Sequence, residues 1–374
     1  MEYQYYEFQA IDRPLTKAEQ DYVQSLSSRV RPTATRAVFT YSHADFRGSP
    51  LSVLEKCFDA MLYMANWGSY QLAFRFPKAA VNLSALESYC VDNIIEVSTA
   101  AKYVTLNIEI HEEEGGGWIE ENNNWLSALI PLRQAILKGD YRVLYLAWLQ
   151  AAAVSACLEE DAQEPPVPPN LQKLSPPLQS FVDWLEMDLD LIAVAAQVSQ
   201  TQQELKEPFK EWINALSDKE KTKLLVEIVT GDSVLASQLQ ARLRQKFVQT
   251  PELLSVSDID RRHFSELKAL AETQCSERQA KEKAAAEAKR HRYLKSLKPQ
   301  QAEIWETIKD LIARKQAQPY EQAIQHLIDL RDLAELEGNS AIFRSRIRQM
   351  QVDYSNRSGL LRRMREARLL RVRN

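Results

Sequence analysis

Apolar positions in the first part of the chain switch repeatedly between two spacings. Tyr3 to Ala10 is rich in aromatics, a strand composition, and Asp12-Arg13-Pro14 ends it. Thr16 and Glu19 have the spacing of a capping box ahead of Tyr22, Val23 and Leu26, which predicts a helix. Thr33 to Ser42 reads as a second strand, followed by a loop from His43 to Gly48. After Pro50, the set Leu51, Leu54, Phe58 and Leu62 recurs at helical spacing, and Gly68 closes that segment. Gln71 to Phe76 is a third strand ended by Pro77, and Leu83 to Cys90 a short helix. In Tyr103 to Ile110, Val104, Leu106, Ile108 and Ile110 alternate with polar partners, as in a half-buried strand. Residues 1–111 are therefore expected to form an α+β domain, with α/β as the alternative arrangement.

Beyond it the period becomes helical. Residues 112–158 read as an acidic loop, Glu112 to Gly117, and a helical hairpin of Trp125 to Lys138 and Tyr141 to Leu158, the second helix apolar nearly all round. Residues 159–177 hold six prolines and four acids and read as a Pro-rich acidic linker, the expected domain boundary. Residues 178–257 are a helical domain built from Leu178 to Val198, Phe209 to Leu216, Lys219 to Thr230 and Ser233 to Val248. Residues 258–298 form one long charged helix, on the order of 60 Å at the usual rise. Residues 299–374 are a helical bundle with an Arg-rich end, four amphipathic helices with Gly338 at one corner. The expected fold is an α+β N-terminal domain followed by a mainly α-helical C-terminal scaffold, predominantly helical overall.

Charge changes this picture. From Ala341 onward ten arginines face only Asp353 and Glu366, a net +8, while the whole 374-residue chain is −4, so everything before is −12. Such opposition means the end is built either to contact an outside anion or to lie against its own acidic body. On helices, Arg344 and Arg348 share a face, and the apolar positions Leu360, Leu361 and Met364 leave Arg362, Arg363 and Arg365 projecting outward, with Arg368 beyond them. These six arginines, Arg344, Arg348, Arg362, Arg363, Arg365 and Arg368, are the candidate binding residues.

Nothing comparable marks a catalytic or cofactor site. Nine glycines are few for this length, and GxSxG, Walker-type, GxGxxG and HExxH motifs are all missing, so no catalytic, cofactor-binding or metal residues are assigned. The run His111-Glu112-Glu113-Glu114 would need ligands such as His43 and Asp45 to make a metal site, and an exposed loop is the simpler reading. Cys57 and Cys90 sit among apolar positions and read as small buried hydrophobes rather than nucleophiles. Trp148, Trp184, Trp212 and Trp305 read as core. The four cysteines are too dispersed for a metal clip, the N-terminus lacks the basic start and apolar stretch of a secretory signal, and Val143 to Leu158 is too short to span a bilayer. A reduced, cytoplasmic protein without a membrane segment is expected.

Two stretches carry a resemblance. Tyr5-Tyr6-Glu7-Phe8-Gln9-Ala10-Ile11-Asp12-Arg13-Pro14-Leu15, with Tyr63-Met64-Ala65-Asn66-Trp67-Gly68, resembles a family of uncharacterised bacterial proteins. Trp212 to Leu216 with Lys219-Glu220-Lys221, and Pro319 to Ala334, resemble the helical region that accompanies bacterial SWIM zinc-finger proteins. The finger's CxC and CxH pairs are not in this sequence, so zinc does not transfer. What the resemblance implies is a shared helical scaffold in the neighbourhood of DNA-handling or defence-like proteins.

The sequence therefore points to a non-catalytic binding or adaptor protein of a bacterial complex, meeting a protein partner through a basic C-terminal helical surface. One alternative is sequence-indifferent nucleic-acid binding through the same arginines. The other is an enzyme with its site near His43, Asp45 and Glu109, which requires those side chains to converge.

Overall fold

Six strands make one antiparallel sheet in the first of two units, Met1–Gln274. They are β1 (Gln4–Gln9), β2 (Arg36–Tyr41), β3 (Ala60–Ala65), β4 (Ser69–Pro77), β5 (Ile95–Thr99) and β6 (Tyr103–His111), in the order β2-β1-β3-β4-β6-β5. The computed structural model describes every residue except 1, 43–44, 113–123, 155–161, 203–207, 230–238, 241–242, 244–245, 248–260 and 371–374. His43, Glu113, Glu114, Cys157, Arg371, Arg373 and most of the helix expected over Ser233 to Val248 thus lie outside the described residues.

The two-residue alternation of a strand sends the two sets of side chains to opposite faces of the sheet. Leu62, Leu72, Phe74, Phe76, Leu106 and Ile108 share one core with α4 (Trp125–Leu137), α5 (Arg142–Val154) and α6 (Pro176–Trp184). Phe8, Phe39 and Met61, on the other face, share a second core with Val23 of α1 (Lys17–Leu26) and Val53 and Leu54 of α2 (Pro50–Cys57). In α5 all ten residues from Val143 to Ala152 are buried, which its all-round apolar character requires. Among its described residues the first unit also holds α3 (Leu83–Glu87), α7 (Leu189–Ala196), α8 (Phe209–Asn214) and α9 (Asp218–Val229).

The capping box at α1 forms as its spacing predicts. The Thr16 hydroxyl accepts from the Glu19 amide, and Glu19 accepts from the Thr16 amide at 2.7 Å and pairs with Arg13 at 2.5 Å. The hydrogen bond from Arg13, working against partial burial, and the bonds from Thr16 hold the Glu19 carboxyl down at about 2, from an ordinary 4.5. A carboxyl depressed in the folded state adds stability above its unfolded value and loses it as the pH falls through the folded one. Native and Glu19→Gln chains should therefore differ in urea midpoint near neutrality and converge as the pH drops from about 4.5 toward 2. A constant difference across that window contradicts the assignment.

Four expectations are corrected here. The helical spacing of Leu51, Leu54, Phe58 and Leu62 does not continue: α2 stops at Cys57, and Leu62 lies in β3, between β1 and β4. Ala60–Ala65 is apolar at every position, so periodicity cannot separate a central strand from a buried helix. Strand β5, which gave no sequence signal, pairs with β6. Leu178 to Val198 is two helices, broken at Glu186 with its positive φ of 46° and restarted by Asp188 as N-cap of α7. The proline-rich stretch, from Ala162 onward, is packed rather than a linker. Leu171 is buried, Pro166 and Pro168 accept hydrogen bonds from the Tyr89 and Ser199 hydroxyls at 2.8 and 2.7 Å, and their missing N–H groups leave no donors to satisfy. The division between units falls instead after Gln274, within α10 (Phe264–Leu297).

The second unit, Cys275–Asn374, is helical. After the rest of α10 come α11 (Gln301–Ala313), α12 (Ala317–Leu336), α13 (Ser340–Asp353) and α14 (Ser358–Glu366), the four helices that the apolar stripes predict. Its own core gathers Ile308, Ile312, Ala323, Leu327, Ile347, Leu360 and Met364. Gly338, at φ +74°, turns the chain from α12 into α13 and lets the Asn339 amide reach the Ala334 carbonyl at 2.7 Å. Among the described residues no helix is long and apolar enough to cross a membrane. The chain is thus an α+β N-terminal region with an antiparallel sheet, followed by a mainly helical C-terminal region.

Candidate functional site

The division into units sharpens the charge separation. Cys275–Asn374 carries 22 Lys and Arg against 13 Asp and Glu, a net +9, which leaves −13 for residues 1–274. On α13 the apolar positions Phe343, Ile347 and Met350 face the core and set the other positions outward. Arg344, Arg346 and Arg348 are exposed as a result. On α14 Leu360, Leu361 and Met364 do the same, leaving Arg362 and Arg365 exposed, with Arg368 exposed beyond the helix end.

The partners of these guanidiniums decide whether the surface is free. Arg362 stands 3.7 Å from Glu366, both about two-thirds exposed, a pair that contributes little in water. Arg363 is half-buried, 3.6 Å from Glu321 of α12 and donating to the Gly359 carbonyl at 3.2 Å. Arg344, Arg348, Arg365 and Arg368 make no ion pair or side-chain hydrogen bond among the described residues. Two acids of α12 in the same unit are paired with other cations: Arg290 of α10 with Asp329 and Asp332 at 2.7 Å, and Arg331 with Asp332 at 2.8 Å. Burial would raise the Asp332 carboxyl, but hydrogen bonds from Arg290 and Arg331 outweigh it and hold the group below its usual range. Of the six candidate arginines, helical spacing thus groups Arg344 with Arg348 and Arg362 with Arg365, while Arg363 turns inward. The sequence reading missed Arg346, which lies over the half-buried Trp305 ring at 5.2 Å.

The enzyme reading can be set against the first unit's polar sheet face. Register places Tyr6, Tyr63, Gln71 and Glu109 in one row across β1, β3, β4 and β6. Asp45 accepts from Gln4 at 3.2 Å, and Glu109 accepts from Gln71 at 3.1 Å. His43, the required third group, lies outside the described residues. One constellation was not foreseen: Ser69 Oγ is 3.0 Å from His111 Nδ1, and His111 Nε2 is 3.3 Å from Glu109 Oε1. A hydroxyl, an imidazole and a carboxylate in series is a nucleophile's arrangement. Ser69, however, is only 6% exposed, while the imidazole is turned to water, so an incoming carbonyl meets the ring and not the hydroxyl. Cross-strand pairing of Ser69 with His111 explains the contact without catalysis.

The thiols are equally quiet. Burial of Cys57, and partial screening of the Cys90 sulfur from water within an otherwise exposed residue, push both thiols above their ordinary value, with Glu19 adding to the first and Glu87 to the second, which disfavours the thiolate a nucleophile needs. Cys57 is buried as expected, whereas Cys90 is exposed, a correction to its reading as a core residue. It borders a cleft of about 520 Å³ with Asp92, Asn93, Trp148 and Gln163, which brings no histidine to the thiol among the described residues. No group of three metal-ligating side chains occurs among the described residues either.

Comparison with family models, with curated proteins and with solved structures returns no match. The functional reading rests on the chain's own residues.

Proposed function

We propose that this chain is a non-catalytic binding protein, an adaptor in a bacterial complex, that meets an anionic partner through the arginine-bearing surface of α13 and α14. One observation carries the proposal: Arg344, Arg348, Arg365 and Arg368 are exposed and make no ion pair among the described residues, although the chain as a whole has an excess of acids. Guanidiniums that are not neutralised internally retain their fork of donors for a carboxylate or phosphate outside the molecule. The proposal includes a cytoplasmic location, which the free thiols Cys57, Cys90 and Cys275 suit. It also includes the helical-scaffold resemblance carried by Trp212 to Leu216 and Pro319 to Ala334.

The test is a chain in which Arg362, Arg363, Arg365 and Arg368 are all replaced by glutamine. Glu366 and Glu321 lose a pairing and the Gly359 carbonyl loses the Arg363 bond; both carboxylates are exposed, so the melting temperature should move only slightly. Partner capture by the immobilised full chain should fall about tenfold or more, which corresponds to about 1.4 kcal/mol or more. Unchanged capture removes this surface from the account.

A further inference from the structure

We infer that the anion met by this surface is the phosphate backbone of a nucleic acid, bound without regard to sequence. The inference rests on the binding surface proposed above and adds the class of its partner.

All ten basic residues after Ala341 are arginine and none is lysine. A lysine serves solubility as well as an arginine does, but only the planar guanidinium grips two oxygens of one phosphate or carboxylate at once. The surface is built from the bidentate cation alone.

Protein interfaces draw most of their affinity from a buried apolar or aromatic centre, with charges at the rim. On α13 the exposed large apolar residues are Ile342 and Val352, ten positions apart, and α14 exposes none among its described residues. Scattered aliphatics between guanidiniums supply a rim without a centre. A phosphate backbone needs no such centre, because release of condensed counterions drives its binding.

Reading bases takes side chains that enter a groove or aromatic platforms that stack unpaired bases. The aromatics beside the arginines, Trp305, Phe343 and Tyr354, are buried or half-buried, and Trp305 already carries Arg346. What remains is contact with phosphates, which position a strand without reading it. The −13 carried by the first unit opposes wider contact with a polyanion, so binding should be confined to the second unit.

The experiment measures fluorescence anisotropy of the full chain against a labelled DNA single strand, the equivalent RNA, a DNA duplex and a labelled polyglutamate, between about 50 and 200 mM NaCl. Four phosphate contacts should weaken duplex binding about 150-fold over that range, and single-strand binding about 50-fold. Scrambling the sequence should leave affinity unchanged. Replacing Arg344 and Arg348 by glutamine should lower the duplex salt slope by about 1.8, a readout that a purely structural role would not shift. Binding to polyglutamate without binding to any nucleic acid at low salt overturns this inference and leaves the basic surface standing. Binding to neither overturns both. Nucleic-acid binding with a salt slope unaltered in the double variant places the contact elsewhere and also overturns the inference.

Discussion

Replacing Arg133 by alanine is expected to destabilise the full chain by about 3–5 kcal/mol, the effect of breaking a buried ion pair from one side. Arg133, on α4, is wholly buried. It donates to both Asp12 oxygens at 2.9 and 2.7 Å, and through Nε to the Arg75 carbonyl at 2.9 Å. Arg75, on β4, donates in turn to Asp59 at 2.8 Å and to the Glu55 carbonyl at 2.7 Å. Asp59 also accepts the Ile11 and Asp12 amides at 2.7 and 2.9 Å. Burial would raise the Asp59 carboxyl, but the Arg75 charge and these hydrogen bonds outweigh it and keep the group ionised. Two guanidiniums and two carboxylates thus clamp the exit of β1, the start of β3, β4 and α4 together. Removing Arg133 takes both of its bonds from the mostly buried Asp12 carboxylate, whereas removing both side chains should recover much of the loss. Urea denaturation followed by tryptophan fluorescence, on Arg133→Ala, Asp12→Ala and the double variant, measures this. A loss under about 1 kcal/mol for the single Arg133 variant contradicts the clamp.

The second large effect is expected at Glu164. This carboxylate, 3% exposed, accepts a hydrogen bond from the Tyr145 hydroxyl and two from Arg262, at 2.8 and 2.6 Å. Arg262 continues to the Val194 and Ala195 carbonyls at 3.3 and 3.2 Å. Backbone bonds from Glu164 to Arg262 and from Phe264 to Ala162 run beside it, so the strap before α6 and the entry to α10 are held as one short ladder. Glu164→Ala takes the acceptor from the Tyr145 phenol and leaves the Arg262 guanidinium with backbone carbonyls but no carboxylate, and a loss of about 3–5 kcal/mol follows on the same grounds. Hydrogen exchange at the Glu164 and Phe264 amides should accelerate with it. Unchanged protection at both contradicts the latch.

Neither device was legible in the sequence. Asp12 and Arg133 are 121 residues apart, and Glu164 and Arg262 98 apart, so only the folded chain brings them together. Local signals fared better wherever one physical rule dominated. The Thr16–Glu19 box, the alternation in β6 and the stripes of α11 to α14 each depend on neighbours within a few residues. The sequence misled where a tertiary partner decides the matter. Ala60–Ala65 has no period to read and becomes a strand because β1 and β4 flank it, and prolines that suggested a linker serve as acceptors in a packed strap. At the candidate site, helical spacing set Arg344, Arg348, Arg362 and Arg365 outward as expected, whereas Arg363, expected outward with them, turns inward toward Glu321 and the Gly359 carbonyl. That Arg344, Arg348, Arg365 and Arg368 make no ion pair among the described residues did not follow from the sequence, because spacing along one helix does not say where the acids of the other helices lie. Likewise, the Ser69–His111–Glu109 contact follows only from strand register, which the sequence did not specify.

The central claim is that the arginines of α13 and α14 remain available to an anion outside the molecule. Arginine-specific footprinting with phenylglyoxal, read residue by residue by mass spectrometry on the full chain, tests it most directly. Arg344, Arg348, Arg365 and Arg368 should react rapidly in the free chain and become protected when a nucleic-acid strand is added, while Arg75 and Arg133 stay unreactive throughout. Slow modification of those four in the free chain, at the level of Arg133, would show them already neutralised by this protein's own carboxylates and contradict the account.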